Sequence, residues 1–339
     1  MSSDITIAID AMGGDFGPTE IIPAVDYSLK KYTQLNVILV GKKDVILSQL
    51  KKYNIENSER ITISHASEIV EMDESPSQAL RNKKESSMRI AIELVRDGSA
   101  KACVSAGNTG ALMATSRFIL KMLPGMDRPA ICTTLPGING TSHILDLGAN
   151  VDSSSEQLFQ FAIMGAQLTS AVKNKDDPTV ALLNIGEEEI KGNDRVKQAA
   201  KLLEESSLNY VGYVEGNNLY TGNVDLIVCD GFVGNVAIKA SEGVADFLLH
   251  NVKNEFKSSM YSKFAALIAM PILKSLQHKI DPKRYNGASL LGLRGIVVKS
   301  HGSAKRISFS RAIDEAMIEV ENNIPEKINT KLEQLLINR

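Results

Sequence analysis

The sequence is short of cysteine, carries no excess of either charge, and lacks both long apolar runs and the common glycine motifs of nucleotide sites. Its three cysteines, Cys103, Cys132 and Cys229, sit in apolar, strand-like runs without C-x-x-C spacing or histidine partners. That usage excludes zinc and a disulfide framework and predicts buried small hydrophobes. A net charge of -2 over 339 residues leaves no basic face of the kind a general nucleic-acid binder needs, so no nucleic-acid partner is expected. The opening "MSSDITIAID" enters a strand pattern with no basic and apolar leader, which makes the cytoplasm the expected location. No apolar run reaches the ~20 residues that span a membrane. Neither G-x-G-x-x-G nor G-x-x-x-x-G-K-[ST] occurs, which weighs against a dinucleotide-dependent dehydrogenase and against a P-loop.

What is present is an alternation. Short apolar runs ("ITIAID", "NVILVG", "ITISH", "ACVSAG", "AICTTL", "HILDLG", "TVALLNIG", "DLIVCDG", "GIVVKSHG") are interleaved with segments of helical periodicity. This predicts an α/β fold with an open, mostly parallel sheet covered by helices on both faces. No repeat or linker divides the chain, so residues 1–339 read as one domain. Residues 247–286 lack strand signals and read as a protruding helical insertion of two helices broken near Pro271.

Several runs end in Gly, Asp or Asn, and in open parallel sheets ligands bind outside the carboxyl ends of the strands. The corners are therefore expected to converge on one rim. "DAMGGDFGP" brings Asp10, Gly13, Gly14 and Asp15; the glycines let backbone amides face an anion, although Gly-Gly-Asp is also simply a tight turn. "SAGNTGA" brings Gly107, Asn108, Thr109 and Gly110 at the start of a helix, where Asn108 or Thr109 caps the helix with or without a ligand. "LDLGANVD" adds Asp146 and Asn150, and "NIGEEEIKGND" adds Asn184, Gly186 and Lys191. Glu187 to Glu189 suit a helix dipole, whereas a lysine beside a glycine can reach a phosphate. "CDGFVGN" repeats the theme with Asp230, Gly234 and Asn235, and "VVKSHGS" contributes His301, which is either a structural histidine or a participant. Together the corners predict a polar, phosphate-bearing ligand held by backbone amides and a few side chains.

These motifs, with "RPA" around Arg128 and "LLGLRGIVVKSHGS", run in order from residue 10 to residue 303 and resemble the PlsX-type phosphate acyltransferases of bacterial phospholipid synthesis. One stretch departs from that pattern: "YNGASLLG" has Asn286 and Ser289 where the family pattern has Gly-Gly-Ala-Pro. The resemblance implies that acyl groups pass from acyl carrier protein thioesters to inorganic phosphate, giving acyl phosphate. It also implies a fold similar to isocitrate and isopropylmalate dehydrogenases and to phosphotransacetylase, a homodimer, no metal and no nucleotide or other cofactor, and product delivery to a membrane glycerol-3-phosphate acyltransferase. The chemistry agrees with the corners, because phosphate is itself the nucleophile and the protein must only desolvate it, aim it and stabilise an oxyanion. Lys191, Asn108, Asn235 and His301 are the expected catalytic residues, with the remaining corner residues binding substrate. The rival readings are a dehydrogenase of similar fold, a non-catalytic sensor of phosphate or acyl ligands, and a covalent acyltransferase working through a cysteine thiol.

In "FKSSMYSKFAALIAMPILKSL", Phe256, Met260, Phe264, Leu267 and Ile268 recur at helical spacing between Lys257 and Lys263. Such a stripe suits a core or a dimer interface. Flanked by lysines and followed by the basic residues 274–284, it also suits a membrane interface, with Phe264, Leu267, Ile268, Met270 and Leu273 as the expected contacts. The same lysines and Arg284 could meet an acidic carrier protein. Reversible association with the inner face of the cell membrane is the expectation.

Overall fold

The computed structural model describes residues 4–55, 58–280 and 286–337. Its strands are β1 (Ile5–Asp10), β2 (Leu35–Gly41), β3 (Ile61–His65), β4 (Ala102–Ser105), β5 (Ala130–Pro136), β6 (Thr141–Leu145), β7 (Val180–Leu183), β8 (Tyr210–Val214), β9 (Leu226–Val228), β10 (Ala288–Leu291) and β11 (Ile296–Lys299). Its helices are α1 (Pro18–Lys31), α2 (Lys43–Lys52), α3 (Pro76–Asn82), α4 (Ser87–Arg96), α5 (Thr109–Leu120), α6 (Ser155–Lys173), α7 (Asp194–Glu204), α8 (Gly231–Glu255), α9 (Met260–Ile280), α10 (Arg306–Glu321) and α11 (Ile324–Ile337). The strands form one sheet in the order β3-β2-β1-β4-β11-β10-β5-β6-β9-β7-β8.

Alternate residues of each strand bury on opposite faces, as a strand covered on both sides requires. Ile5, Ile7 and Ile9 of β1 pack with α1 and α10, while Ala8 joins Cys103 and the faces of α4 and α5 on the other side. In the second half, α6, α7 and α11 cover one face and Ala237 and Ile238 of α8 pack on the other. The expected α/β architecture is therefore observed. Two strands fall outside the apolar runs legible in the sequence: β8, an edge strand interrupted by Gly212, and the four-residue β10 carrying Ser289.

The break expected near Pro271 is not there. Pro271 lies inside α9, and the interruption falls between Glu255 and Met260. Ser258 closes α8 by donating its hydroxyl to the Glu255 carbonyl, and Ser259 caps α9 by accepting the Ser262 N–H at 3.0 Å. The Pro271 ring is exposed, so the carbonyl deprived of its helical partner one turn earlier can be hydrated and the helix continues. The helix containing Phe247 begins at Gly231. The basic stretch 274–284, with Arg284, lies outside the described side chains.

Strand direction decides where the corners go. β1, β4 and β11 are mutually parallel neighbours. β10 is antiparallel to both β11 and β5, and β5 is antiparallel to β6, so β6, β9, β7 and β8 run opposite to β1. The single rim expected from the sequence is thus corrected: the turns after β1, β4 and β11 leave one edge, and those after β6, β9 and β7 leave the other.

Candidate active site

The first set is an interlocked group of three turns. Asp10 ends β1 fully buried, and its carboxylate accepts the Ser105 hydroxyl at 2.6 Å and the Met12 N–H at 3.3 Å. Burial pushes the Asp10 carboxyl above its ordinary range, and these hydrogen bonds pull it back. Ser105 Oγ in turn accepts the Gly107 N–H at 3.1 Å. A Cβ on Gly13 would stand 2.6 Å from Asp10 Oδ2 and 2.7 Å from Gly107 N, so only glycine permits this approach of two main chains. Gly14, at φ +80°, brings the turn against Gly302, whose carbonyl accepts the Asp15 N–H at 2.9 Å.

Asn108 caps α5, accepting the Ala111 N–H at 2.9 Å, while its amide donates to the carbonyls of Met72 at 2.7 Å and Glu74 at 3.1 Å. Its side chain is committed to holding the helix start against the preceding loop, and Gly110 lets Pro76 pack on the same turn. Thr109 is exposed on the first turn of α5, and Asp15 is exposed beside Gly302. His301 is exposed after β11, with Nδ1 accepting the Ser303 N–H at 3.1 Å.

Under these turns lies a residue that the motif pattern does not single out. Lys299 ends β11 buried, and its ammonium donates to the carbonyls of Ala106, at 3.2 Å, and of Ser300. Burial lowers its pKa to about 8, against the opposing pull of Asp10 and Asp15. The buried ammonium ties the β4 turn to the β11 turn by satisfying carbonyls from both. The available signal was a lysine inside the otherwise apolar run "GIVVKS".

The second set is more self-contained. Asp146 is fully buried and accepts five hydrogen bonds: from the N–H groups of Ile131, Leu147, Ala149 and Asn150 and from the Asn150 side chain. Asn150 also donates to the Pro129 carbonyl at 2.8 Å, next to the exposed Arg128. A Cβ on Gly231 would lie 2.5 Å from Asp146 Oδ2, and one on Gly234 2.0 Å from the Asp146 carbonyl, so α8 begins directly against this turn. Asp230 caps α8 through the Phe232 N–H at 2.9 Å and accepts the Ser153 N–H at 2.7 Å. Asn235 is exposed on the first turn of α8, beside Gly148. After β7, Asn184 is buried and spends its amide on the carbonyls of Gly186 and Lys191. The Lys191 ammonium is half-exposed, 3.9 Å from Glu188. A cavity of about 160 Å³ opens among Ser153, Asn193, Arg195 and Asp230, where α6, α7 and α8 begin.

Of the expected residues, the fold therefore brings Asp10, Gly13, Gly14, Asp15, Gly107, Asn108, Thr109, Gly110 and His301 together in one set. Asp146, Asn150, Asp230, Gly234 and Asn235 form the other, with Asn184, Gly186 and Lys191 after the strand beside it. All three cysteines are buried with their thiols raised above the ordinary range by burial, which disfavours a thiolate nucleophile.

The family model described as fatty acid synthesis protein matches residues 5–327. A protein named phosphate acyltransferase from Legionella pneumophila (strain Paris) is 58% identical over 334 residues, covering 98% of each chain. Another of that name from Methylococcus capsulatus is 55% identical over 327 residues, covering 96% of each. Among solved structures, a phosphotransacetylase from Streptococcus pyogenes aligns with a TM-score of 0.63 at 16% identity over 94% of both chains. A putative 4-hydroxythreonine-4-phosphate dehydrogenase from Salmonella typhimurium aligns at 0.50 with 14% identity, over 94% of this chain and 99% of that one. These two likenesses show the fold, in agreement with the architecture expected from the sequence.

Proposed function

Because the chain belongs to the fatty acid synthesis protein family, with full-length relatives named phosphate acyltransferase, we propose that it transfers a long-chain acyl group from an acyl carrier protein thioester to inorganic phosphate. The observation that carries this reading is the first set of turns: glycine-permitted backbone crowding around Asp10 and the buried Lys299 cation, with no reactive thiol nearby. A phosphate oxygen attacks the thioester carbonyl carbon, the C–S bond breaks with its electron pair on sulfur, and the thiolate takes a proton. Acyl phosphate and free carrier are the products. No covalent enzyme intermediate is needed.

In this reading the backbone amides of the first set hold phosphate, Lys191 and Asn235 reach the phosphate or the thioester carbonyl, and His301 supplies the proton to the departing sulfur. Charge-assisted bonds of this kind contribute about 1.5–3 kcal/mol each, and one oxyanion donor about 2.7–4 kcal/mol of barrier. Asn108, Asp146, Asn150, Asn184 and Asp230 act by shaping the turns, since their side chains are already engaged.

The helical appendage supports the rest of the reading. Phe264, Leu267 and Ile268 are each about two-thirds exposed (63%, 68% and 67%), Met270 is exposed, and Leu273 is half-buried. No described helix is long and apolar enough to cross a membrane, so we assign reversible, peripheral association through this tip at the inner membrane face. There the labile acyl phosphate is handed to a membrane glycerol-3-phosphate acyltransferase. Exposed Phe247, Leu248 and Val252 on α8 suit a homodimer, and Lys257 and Lys263 suit the acidic carrier.

The deciding experiment incubates the protein with acyl carrier protein thioester and labelled phosphate. Labelled acyl phosphate, with no mass increase on the intact protein, is expected. A stable acyl-protein adduct would establish the covalent route instead, and phosphate binding without turnover would establish a sensor.

A further inference from the structure

Asn286 stands between the helical appendage and the last two strands, and it is one of the two positions where the chain departs from the pattern of its resemblance. Its half-buried side chain makes three hydrogen bonds. The amide nitrogen donates to Ser300 Oγ at 2.8 Å and to the Ser308 carbonyl in the first turn of α10 at 2.8 Å. The amide oxygen accepts the His301 N–H at 2.8 Å. A carboxamide is planar, so fixing both of its N–H directions fixes where its oxygen points. Here it points at the backbone of His301.

The bonds continue inward. The Ser300 N–H donates to the Ser105 carbonyl at 2.9 Å, and the Ser105 hydroxyl donates to Asp10 at 2.6 Å. Asn286 is thus the outer member of a chain of hydrogen bonds that crosses the β11, β4 and β1 turns in order. A glycine at this position would supply none of the three side-chain bonds and would leave the His301 N–H without its acceptor.

From this geometry we infer that Asn286 is a positioning residue for the reaction: it fixes the His301 turn against β11 and α10 and so sets the direction of the His301 ring. The inference rests on the acyl-transfer reading above. It does not make Asn286 a contact of the substrate.

The test compares N286A, N286D and N286G with the wild type, alone and in an H301A background, by acyl phosphate formation at saturating and limiting phosphate. N286A and N286G are expected to lose about tenfold or more in kcat, with KM for phosphate changed less than about threefold and circular dichroism unchanged. N286D keeps an acceptor for the His301 N–H and is expected to recover part of the loss. In the H301A background, N286A should add less than about twofold, because the residue it positions is already gone. Losses that multiply in the double variant, or N286A activity within twofold of wild type, would overturn the positioning role while leaving acyl transfer intact. If N286A fails to fold, the N286D and N286G pair decides by the same criteria. A wild-type protein that makes no acyl phosphate refutes the acyl-transfer reading, and the positioning role falls with it.

Discussion

Replacing Lys299 with methionine tests whether a buried cation lies at the centre of the site. Methionine preserves much of the side-chain volume while removing the charge and its hydrogen bonds. Burial lowers the lysine from 10.5 to about 8, which corresponds to about 3 kcal/mol at 1.36 kcal/mol per unit. The sign follows from proton counting. Between pH 8 and 10.5 the unfolded lysine is protonated and the folded one is not, so this group makes stability rise with pH across that window and withholds the full amount below pH 8. Methionine removes this cost at neutral pH. Against that gain, it leaves the Ala106 and Ser300 carbonyls without their donor, at about 1–3 kcal/mol for each buried group. The two effects nearly cancel near pH 7. The expected result is therefore a variant of similar stability at pH 7 that falls behind the wild type by up to about 3 kcal/mol as pH rises from 8 toward 10.5. Urea unfolding at half-unit pH intervals reads this directly. Turnover should fall at least tenfold at pH 7, because the β4 and β11 turns lose their shared tether. Parallel stability curves for the two proteins across pH 8–10 would refute the buried-cation reasoning.

Four further outcomes are expected. Cys103→Ala, Cys132→Ala and Cys229→Ala should each keep activity within about tenfold, the equivalent of about 1.4 kcal/mol in barrier; a larger loss in a stably folded variant, measured by turnover, would point to a thiol nucleophile. Lys191→Ala should impair turnover or phosphate saturation by about tenfold without changing the unfolding midpoint, since its side chain is half-exposed; unchanged steady-state kinetics would remove it from the site. Leu267→Glu combined with Ile268→Glu should release the protein from anionic liposomes in flotation while soluble turnover persists; continued flotation would exclude the tip as anchor, and dissociation to monomers would identify the stripe as a dimer interface. His143 is fully buried against Thr169, and burial lowers its pKa from 6.5 to about 4. Its folded form resists protonation, so wild-type stability should drop by about 3 kcal/mol more than that of His143→Leu between pH 6.5 and 4 in chemical unfolding, and equal acid slopes would contradict this.

Much of the sheet was legible because its strands bury both faces and leave unbroken apolar runs. The exceptions have physical causes. β8 is an edge strand with only partial burial, and β10 is four residues long and carries Ser289, whose hydroxyl donates to the buried Glu319 at 2.5 Å. Nothing local distinguishes that serine from one in a loop. Strand direction was equally hidden, because the antiparallel position of β10 between β11 and β5 is a property of pairing and not of composition. The antiparallel β5–β6 hairpin was enough to split the expected single rim into two sets of turns. The glycines were readable for the opposite reason: a Cβ at Gly13, Gly231 or Gly234 meets other atoms at 2.0–2.6 Å, and such intolerance leaves its mark in the sequence itself.

Side-chain roles were harder to read than turn positions, because a polar residue at a corner can face either the ligand or the turn. Asp146 illustrates how the fold decides. A carboxylate that already accepts five hydrogen bonds has no remaining capacity for a donor on a substrate, and it would repel a phosphate directly. Two unit charges of like sign 4 Å apart oppose each other by about 1 kcal/mol in water and about 4 kcal/mol near a protein surface. Asp10 is subject to the same argument, but Lys299 lies under the same turns and offsets its charge. The buried aspartates therefore act on the backbone: Asp10 and Asp146 draw N–H groups inward and hold the turns that surround them. Under the proposed acyl transfer to phosphate, that role accounts for acidic residues at the base of a site for a dianion. On the same reading phosphate is expected at the turns held by Asp10, Lys299 and Asn286, where a cation offsets the carboxylate, in preference to the turn held by Asp146, where none among the described residues does.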